Sequence, residues 1–187
     1  MSLTTRTGSA VTILDSTAVD RALTRIAHEM REQNADPDKI ALVGVRTRGL
    51  PIAQRLAAVL QRITGAEVPV GVIDVSPYRD DVSKLAAARV VDSSQIGFDV
   101  TGLTIILIDD VLCTGRTARA ALDALLDRGR PSRVQLAVLV DRGHRDLPIR
   151  PDYVGRNQPT VRTQEVRVQL QETDGVDQVL LWSDKES

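Results

Sequence analysis

The sequence predicts an α/β protein in which a central parallel sheet is flanked by helices, and three observations predict it. Ile40 to Val45 and Val134 to Val140 are nearly continuous apolar runs, the pattern of strands covered on both faces. The segments between such runs carry apolar residues at helical spacing. Strands and helices alternate along the chain, which implies right-handed crossovers between parallel strands.

Each element has its own justification. Val11 to Leu14 reads as a short strand, and Asp15 and Ser16 are N-cap candidates for a helix from Thr17 to Gln33. Val19, Leu23, Ile26, Ala27 and Met30 share one face of that helix, with Thr24, His28 and Arg31 on the opposite one. Arg46-Thr47-Arg48-Gly49 ends the strand over 40–45, and Pro51 at the first helical position opens the next helix, which Gly65 closes. Val68 to Val75 reads as a third strand, and a charged stretch follows that suits a mobile loop over about residues 76–100. Thr104 to Ile108 is a strand, Thr117 to Asp127 a helix, and Val134 to Val140 a further buried strand. After Asp141 the chain turns rich in arginine and turn residues, before strands over Val166 to Leu170 and Val179 to Trp182.

Composition narrows the function classes. A chain of 187 residues with 42% hydrophobic content fits one domain with a full core. Cys113 has no partner for an internal disulfide, and two histidines with one cysteine cannot build the usual structural zinc site. The cytoplasm is therefore the expected compartment. Met1 to Ala10 lacks an apolar core, and no stretch reaches the roughly 18 apolar residues of a membrane span. The net charge of -1 gives no global sign of nucleic-acid binding, yet among 24 basic residues only Lys39, Lys84 and Lys185 are lysines. Arginine's planar fork suits phosphates, so local arginine clusters matter more than the sum.

The stretch IILIDDVLCTGRTARAAL, residues 105–122, carries the chemistry. Asp109 and Asp110 stand at the carboxyl end of a strand, where open α/β sheets bind ligands. The turn after them, Cys113 to Thr117, leads into a helix whose unpaired N–H groups and dipole favour an anion, and Thr114 and Thr117 add hydroxyls. Two carboxylates beside one phosphate suit the vicinal hydroxyls of a ribose. The ligand is thus a ribose 5-phosphate. No Walker pattern and no G-x-G-x-x-G is present.

Four apolar positions, Asp109-Asp110, two apolar or small positions and Thr114-Gly115-Arg116-Thr117 resemble the phosphoribosyl-diphosphate (PRPP) motif of type I phosphoribosyltransferases. RALTRIAHEM, VGVRTRGL, DVSPYRDDVSK, IDDVLCTGRT, RPSRVQLAVLVDRGHRDLPIRPDYVGRN and DGVDQV together resemble the pyrimidine-operon attenuators that are also uracil phosphoribosyltransferases, over nearly the whole chain. Pro77, Arg156 in place of a common lysine, and LAAARV after Lys84 depart from that pattern.

The resemblance implies the type I phosphoribosyltransferase fold, one domain over residues 1–187 with a small hood built mainly from 141–187 and the N-terminal strand. It implies conversion of uracil and PRPP to UMP and diphosphate. Asp109 and Asp110 would hold the ribose hydroxyls, Thr114, Gly115, Arg116 and Thr117 the 5-phosphate, and Val111, Leu112 and Cys113 would belong to the same PRPP or UMP site. Thr47 and Arg48 match the pyrophosphate loop, and Arg79 a loop that closes over the reacting centre. Tyr153 would stack on the base and Val154 read its edge. Mg²⁺ is expected to arrive with PRPP, because no dedicated protein cage for a metal is visible.

The resemblance also places Thr24, His28, His144, Arg145, Arg150 and Arg156 on a surface that binds the pyr leader mRNA, with UMP or UTP as effector. It implies a homo-oligomer, dimer or higher. On that reading Arg145→Ala and His28→Ala weaken RNA binding and spare turnover. Two other readings stand beside it: a nucleotide-sensing RNA binder with negligible turnover, and a purine phosphoribosyltransferase with no RNA role. The absence of lysine from Asp141 to Gln158 speaks against the purine enzyme.

Overall fold

Asp15 starts the first helix through its side chain. In the computed structural model, which describes residues 8–75 and 94–184, its carboxylate accepts a hydrogen bond from Ala18 N at 2.8 Å. The helix α1 (Ser16–Gln33) follows strand β1 (Gly8–Leu14) and buries the expected face, from Val19 to Met30. Arg31 leaves the polar face and donates to the carbonyls of Asn34 and Ala35, closing the helix end.

Strands β2 (Ile40–Val45), β3 (Val70–Ile73), β4 (Thr104–Leu112), β5 (Arg133–Asp141) and β6 (Tyr153–Asn157) form a parallel sheet in the order β3-β2-β4-β5-β6. Helix α2 (Gly49–Thr64) covers one face beside α1, and α3 (Arg116–Leu126) the other. Alternation along β4 divides the core: Ile106 and Ile108 pack with α1 and α2, Ile105 and Leu107 with Ala118, Ala121 and Leu125 of α3. The short helix α4 (Gln171–Asp174) joins β7 (Gln164–Gln169) to β8 (Gln178–Asp184), and β1, β8 and β7 make a separate antiparallel sheet. Its Val166, Val168 and Val179 complete the α1-side core.

Three differences from the sequence reading shape the site. Strand β6 lies within a stretch that reads as turns, so part of the segment assigned to the hood belongs to the main sheet. Helix α2 begins at Gly49, before Pro51. Strand β4 runs four residues past Ile108. Its pairing with β2 stops at Gly44 and Ile108, whereas its pairing with β5 continues to Leu112 and Asp141. Past Ile108 the β2 side of β4 is therefore open, and a cleft begins there. Arg79 and Pro77 lie outside the described residues. Among those described, no helix is long and apolar enough to cross a membrane.

Candidate active site

The turn from Cys113 to Gly115 is braced from outside. Gly115 has φ 89°, a left-handed conformation that favours glycine, and it packs against the side chains of Leu147 and Ile149. The Thr114 carbonyl accepts from the N–H groups of Asp146 and Leu147, at 3.0 and 3.1 Å. The Cys113 carbonyl accepts from Arg145 at 2.9 Å, and Arg116 pairs with Asp146 at 3.5 Å. Gly115 offers no side chain to cap α3; the Thr114 hydroxyl accepts from Arg116 N at 3.3 Å, and Arg116 and Thr117 are exposed at the helix start, where the sequence places the anion site. Leu112 does not share in it through its side chain, which is buried in the α3-side core because β4 continues through it.

The two acids differ in environment. Asp109 is only 8% exposed, and one of its oxygens accepts from Asp110 N at 2.9 Å. Burial and the neighbouring charge of Asp110 push the Asp109 carboxyl well above the usual range. Asp110 is more open, accepts from Val111 N at 2.8 Å with one oxygen, and lines the cleft.

The opposite wall comes from the turn after β2. The Arg46–Thr47 peptide bond is cis. Gly49 packs so closely on β4 that a Cβ would lie 2.3 Å from the Ile108 carbonyl oxygen, so the close approach this glycine permits is to the neighbouring strand. Thr47 is exposed, and Arg48 lines a cleft of about 420 Å³ with Asp110, Val111 and strand β7 from Glu165 to Gln169. The β7 wall is absent from the sequence reading. Its signal was the alternation Glu165-Val166-Arg167-Val168-Gln169, whose polar residues read as a solvated face.

Two adjacent carboxylates, a helix start and an arginine thus stand at the carboxyl ends of neighbouring strands in one parallel sheet. A phosphoribosyl transferase domain model matches residues 9–173. The bifunctional protein PyrR of Deinococcus deserti is 56% identical over 171 residues, covering 91% of this chain and 93% of that one. The PyrR of Thermus thermophilus is 54% identical over 170 residues, covering 91% and 94%. The chain belongs to the PyrR family of phosphoribosyltransferases. Among solved structures, a hypoxanthine phosphoribosyltransferase of Trypanosoma cruzi superposes with a TM-score of 0.70 at 16% identity, covering 93% of this chain and 97% of that one. At that identity the likeness shows the phosphoribosyltransferase fold alone.

Within this family member, the base-stacking role expected of Tyr153 is corrected. Tyr153 is fully buried under α1, its hydroxyl accepts from Asn34 at 3.0 Å, and burial pushes its phenol above the usual range. It is a core residue because β6 pairs with β5 and turns the ring inward, opposite Ala137. Val154 sits on the other face with the α3-side core, and its carbonyl accepts from Arg25 at 3.2 Å. Neither residue lines the cleft with Asp110.

The six residues expected at the RNA surface divide between two grooves that flank the edge strand β6. Thr24, His28 and Arg156 line one of about 770 Å³ with Arg21 and Arg25. His144, Arg145 and Arg150 line the other, of about 470 Å³, with Asn157. Thr24, His28, Arg150 and Arg156 are exposed. His144 has φ 63° and its ring nitrogen lies 2.7 Å from the Thr160 carbonyl. Arg145 differs from the rest: it donates to the carbonyls of Cys113 and Ile149 and to the Asp141 carboxylate, and so clamps the turn before α3. Among the described residues no group of three His, Cys, Asp or Glu side chains could hold a metal on its own.

Proposed function

We infer that this chain transfers the phosphoribosyl group of PRPP to uracil, giving UMP and diphosphate, and regulates pyrimidine biosynthesis genes by binding their leader mRNA. One observation carries the enzymatic half: Asp110 and Arg48 border one cleft with strand β7, and β4 runs on from Asp110 into the turn that starts α3.

The reaction breaks the bond between C1 of the ribose and pyrophosphate and forms one to uracil N1, through a transition state with positive charge on the ribose. Asp110, with Asp109 behind it, holds the ribose hydroxyls and stabilises that charge. The N–H groups of Thr114 to Thr117 hold the 5-phosphate, so the sugar cannot follow the leaving group. Arg48 takes negative charge as it gathers on pyrophosphate. Asp110, one of whose oxygens accepts from Val111 N, would be the residue to hold a Mg²⁺ arriving with PRPP, and such an ion would add to the neutralisation of the diphosphate. Val111 offers an apolar surface to the base. Among the described residues strand β7 pairs with β8 alone, so its other edge offers N–H and C=O groups that match the acceptor-donor-acceptor edge of uracil.

The test is turnover with PRPP and uracil, hypoxanthine, guanine and orotate in parallel. Uracil is expected to react at least 100-fold faster than the others, as a site built on paired polar groups discriminates by 10⁴ or more. Equal or faster turnover of hypoxanthine or guanine would replace this reading with the purine one.

The regulatory half rests on the family and on exposed Thr24, His28, Arg150 and Arg156 beside β6. Arginine and histidine grip phosphates and stack on splayed bases. Regulation requires that UMP bind the RNA-competent form more tightly than the other. UMP is expected to tighten leader-RNA binding about tenfold in a gel-shift titration, and identical affinities with and without UMP would end the switch.

A further inference from the structure

The segment QETDGVDQ, residues 171–178, closes the hairpin between β7 and β8 and has no part in the chemistry above. Its three acids are all occupied with the start of α2. Arg48 and Arg55 are seven residues apart, two helical turns, and so share one face of that helix. Arg55 donates to Glu172 through Nε and Nη2, at 2.8 and 2.6 Å, and to Asp177 at 2.7 Å. Arg48 donates to Asp174 through Nε and Nη2, at 3.3 and 2.9 Å.

Asp174 is held firmly. Its Oδ2 also accepts from Leu170 N at 3.0 Å and from the Thr173 hydroxyl at 2.6 Å. These donors, Arg48 foremost, bring its carboxyl down to about 2, so it stays charged at any physiological pH. A two-point grip on one edge of a planar guanidinium fixes its orientation, which a single contact cannot do. The grip uses Nε and Nη2, and Arg48 still lines the cleft with Asp110, so the Nη1 edge is left for a ligand. Arg55 with Glu172 and Asp177 anchors the hairpin independently, so the hairpin does not depend on the Arg48 pair to stay in place.

We propose that Asp174 is a positioning residue for the pyrophosphate end of the reaction: from the hairpin it aims the guanidinium of Arg48 across the cleft at the departing diphosphate. This rests on Arg48 being a pyrophosphate ligand, as in the function proposed above. Asp174 itself touches neither substrate nor product.

The experiment is a double-mutant cycle on the full chain with Asp174→Asn, Arg48→Ala and the pair. Asp174→Asn keeps an acceptor for Leu170 N and removes the charge. It is expected to raise KM for PRPP about tenfold and to weaken binding of magnesium diphosphate, measured by calorimetry, by a similar factor. KM for uracil and Tm should stay near wild type. In the Arg48→Ala background, Asp174→Asn should add less than a twofold change, because its effect passes through the arginine. Multiplicative losses in the pair, or a tenfold rise in uracil KM alongside that for PRPP, would show a merely structural role and overturn the proposal. The calorimetric arm needs no turnover: a wild type that binds diphosphate but leaves uracil unreacted sinks the enzymatic reading, while the Asp174 comparison still decides this one.

Discussion

Asp109→Asn is expected to lower kcat for UMP formation by about 100-fold and, at the same time, to raise Tm near neutral pH. The first effect follows from losing a carboxyl that can ionise as positive charge develops on the ribose beside it, which asparagine cannot do; losing one preorganised electrostatic group costs about 10² to 10³ in kcat. The second follows from burial. Asp109 is 8% exposed beside the charge of Asp110, which pushes its carboxyl well above the usual range. In the unfolded chain the same group loses its proton near pH 4. Between that pH and the raised folded value the native state holds a proton the unfolded state has released, so stability falls as pH rises. Asparagine has no such charge to bury, and its side-chain oxygen can still accept from Asp110 N. The gain in Tm should be absent at pH 4 and grow toward neutrality to the order of 3 °C, the shift about 1 kcal/mol produces in a chain of this size. Asp110→Asn, at a more exposed site, should lose comparable activity. A Tm for Asp109→Asn below wild type at every pH would show that the buried carboxylate is a net stabiliser and refute the argument.

What the sequence reveals of this protein follows the range of the interactions involved. The cap at Asp15 and the apolar face of α1 are set by residues a few positions apart and are readable in the sequence, whereas the braces that Arg145, Asp146 and Leu147 give the turn before α3 are not. The glycine at 115 is readable, since its turn needs a positive φ. The end of β4 is not local. Its last four residues are strand because Asp141 and its neighbours on β5 pair with them, and nothing near Ile108 records that. Strand β6 is hidden likewise: PDYVGRN reads as a turn, and becomes a strand against Ala137 to Asp141. The misplacement of Tyr153 follows directly. An aromatic ring after the last expected strand suits a base platform, but its burial depends on Asn34 at the end of α1, 119 residues away. The β7 wall was missed for the converse reason, because a polar alternating face looks the same in sequence whether it meets water or a ligand.

Arg145→Ala is expected to damage both activities, unlike the other residues of the RNA surface. The sequence reading treats Arg145 as an RNA contact that turnover does not need. In the structure its guanidinium is committed internally: to the Ile149 carbonyl at 2.9 Å, to the Cys113 carbonyl at 2.9 Å and to the Asp141 carboxylate. Asp141, 15% exposed at its side chain, would lose its counter-ion, and the Cys113 carbonyl its donor. Leaving a partly buried charge unpaired costs about 2 kcal/mol, somewhat less than the 3–5 of a fully buried pair, and lowers Tm by about 5 °C in a chain this long. Freed from Arg145, the turn that presents N–H groups to the 5-phosphate loses one of its braces, and KM for PRPP should rise about tenfold. RNA affinity should fall as well, since His144 and Arg150 sit on the same loop. Arg145→Lys cannot reproduce the effect of the fork, because one ammonium does not span two carbonyls and a carboxylate in a plane, so it should recover less than half of the loss in KM. His28→Ala is the contrast: exposed on α1 in the other groove, it should weaken RNA binding with PRPP kinetics and Tm unchanged. Wild-type PRPP kinetics in Arg145→Ala, together with lost RNA binding, would return Arg145 to the role of a surface contact and break the mechanical link between the phosphate loop and the RNA-facing loop.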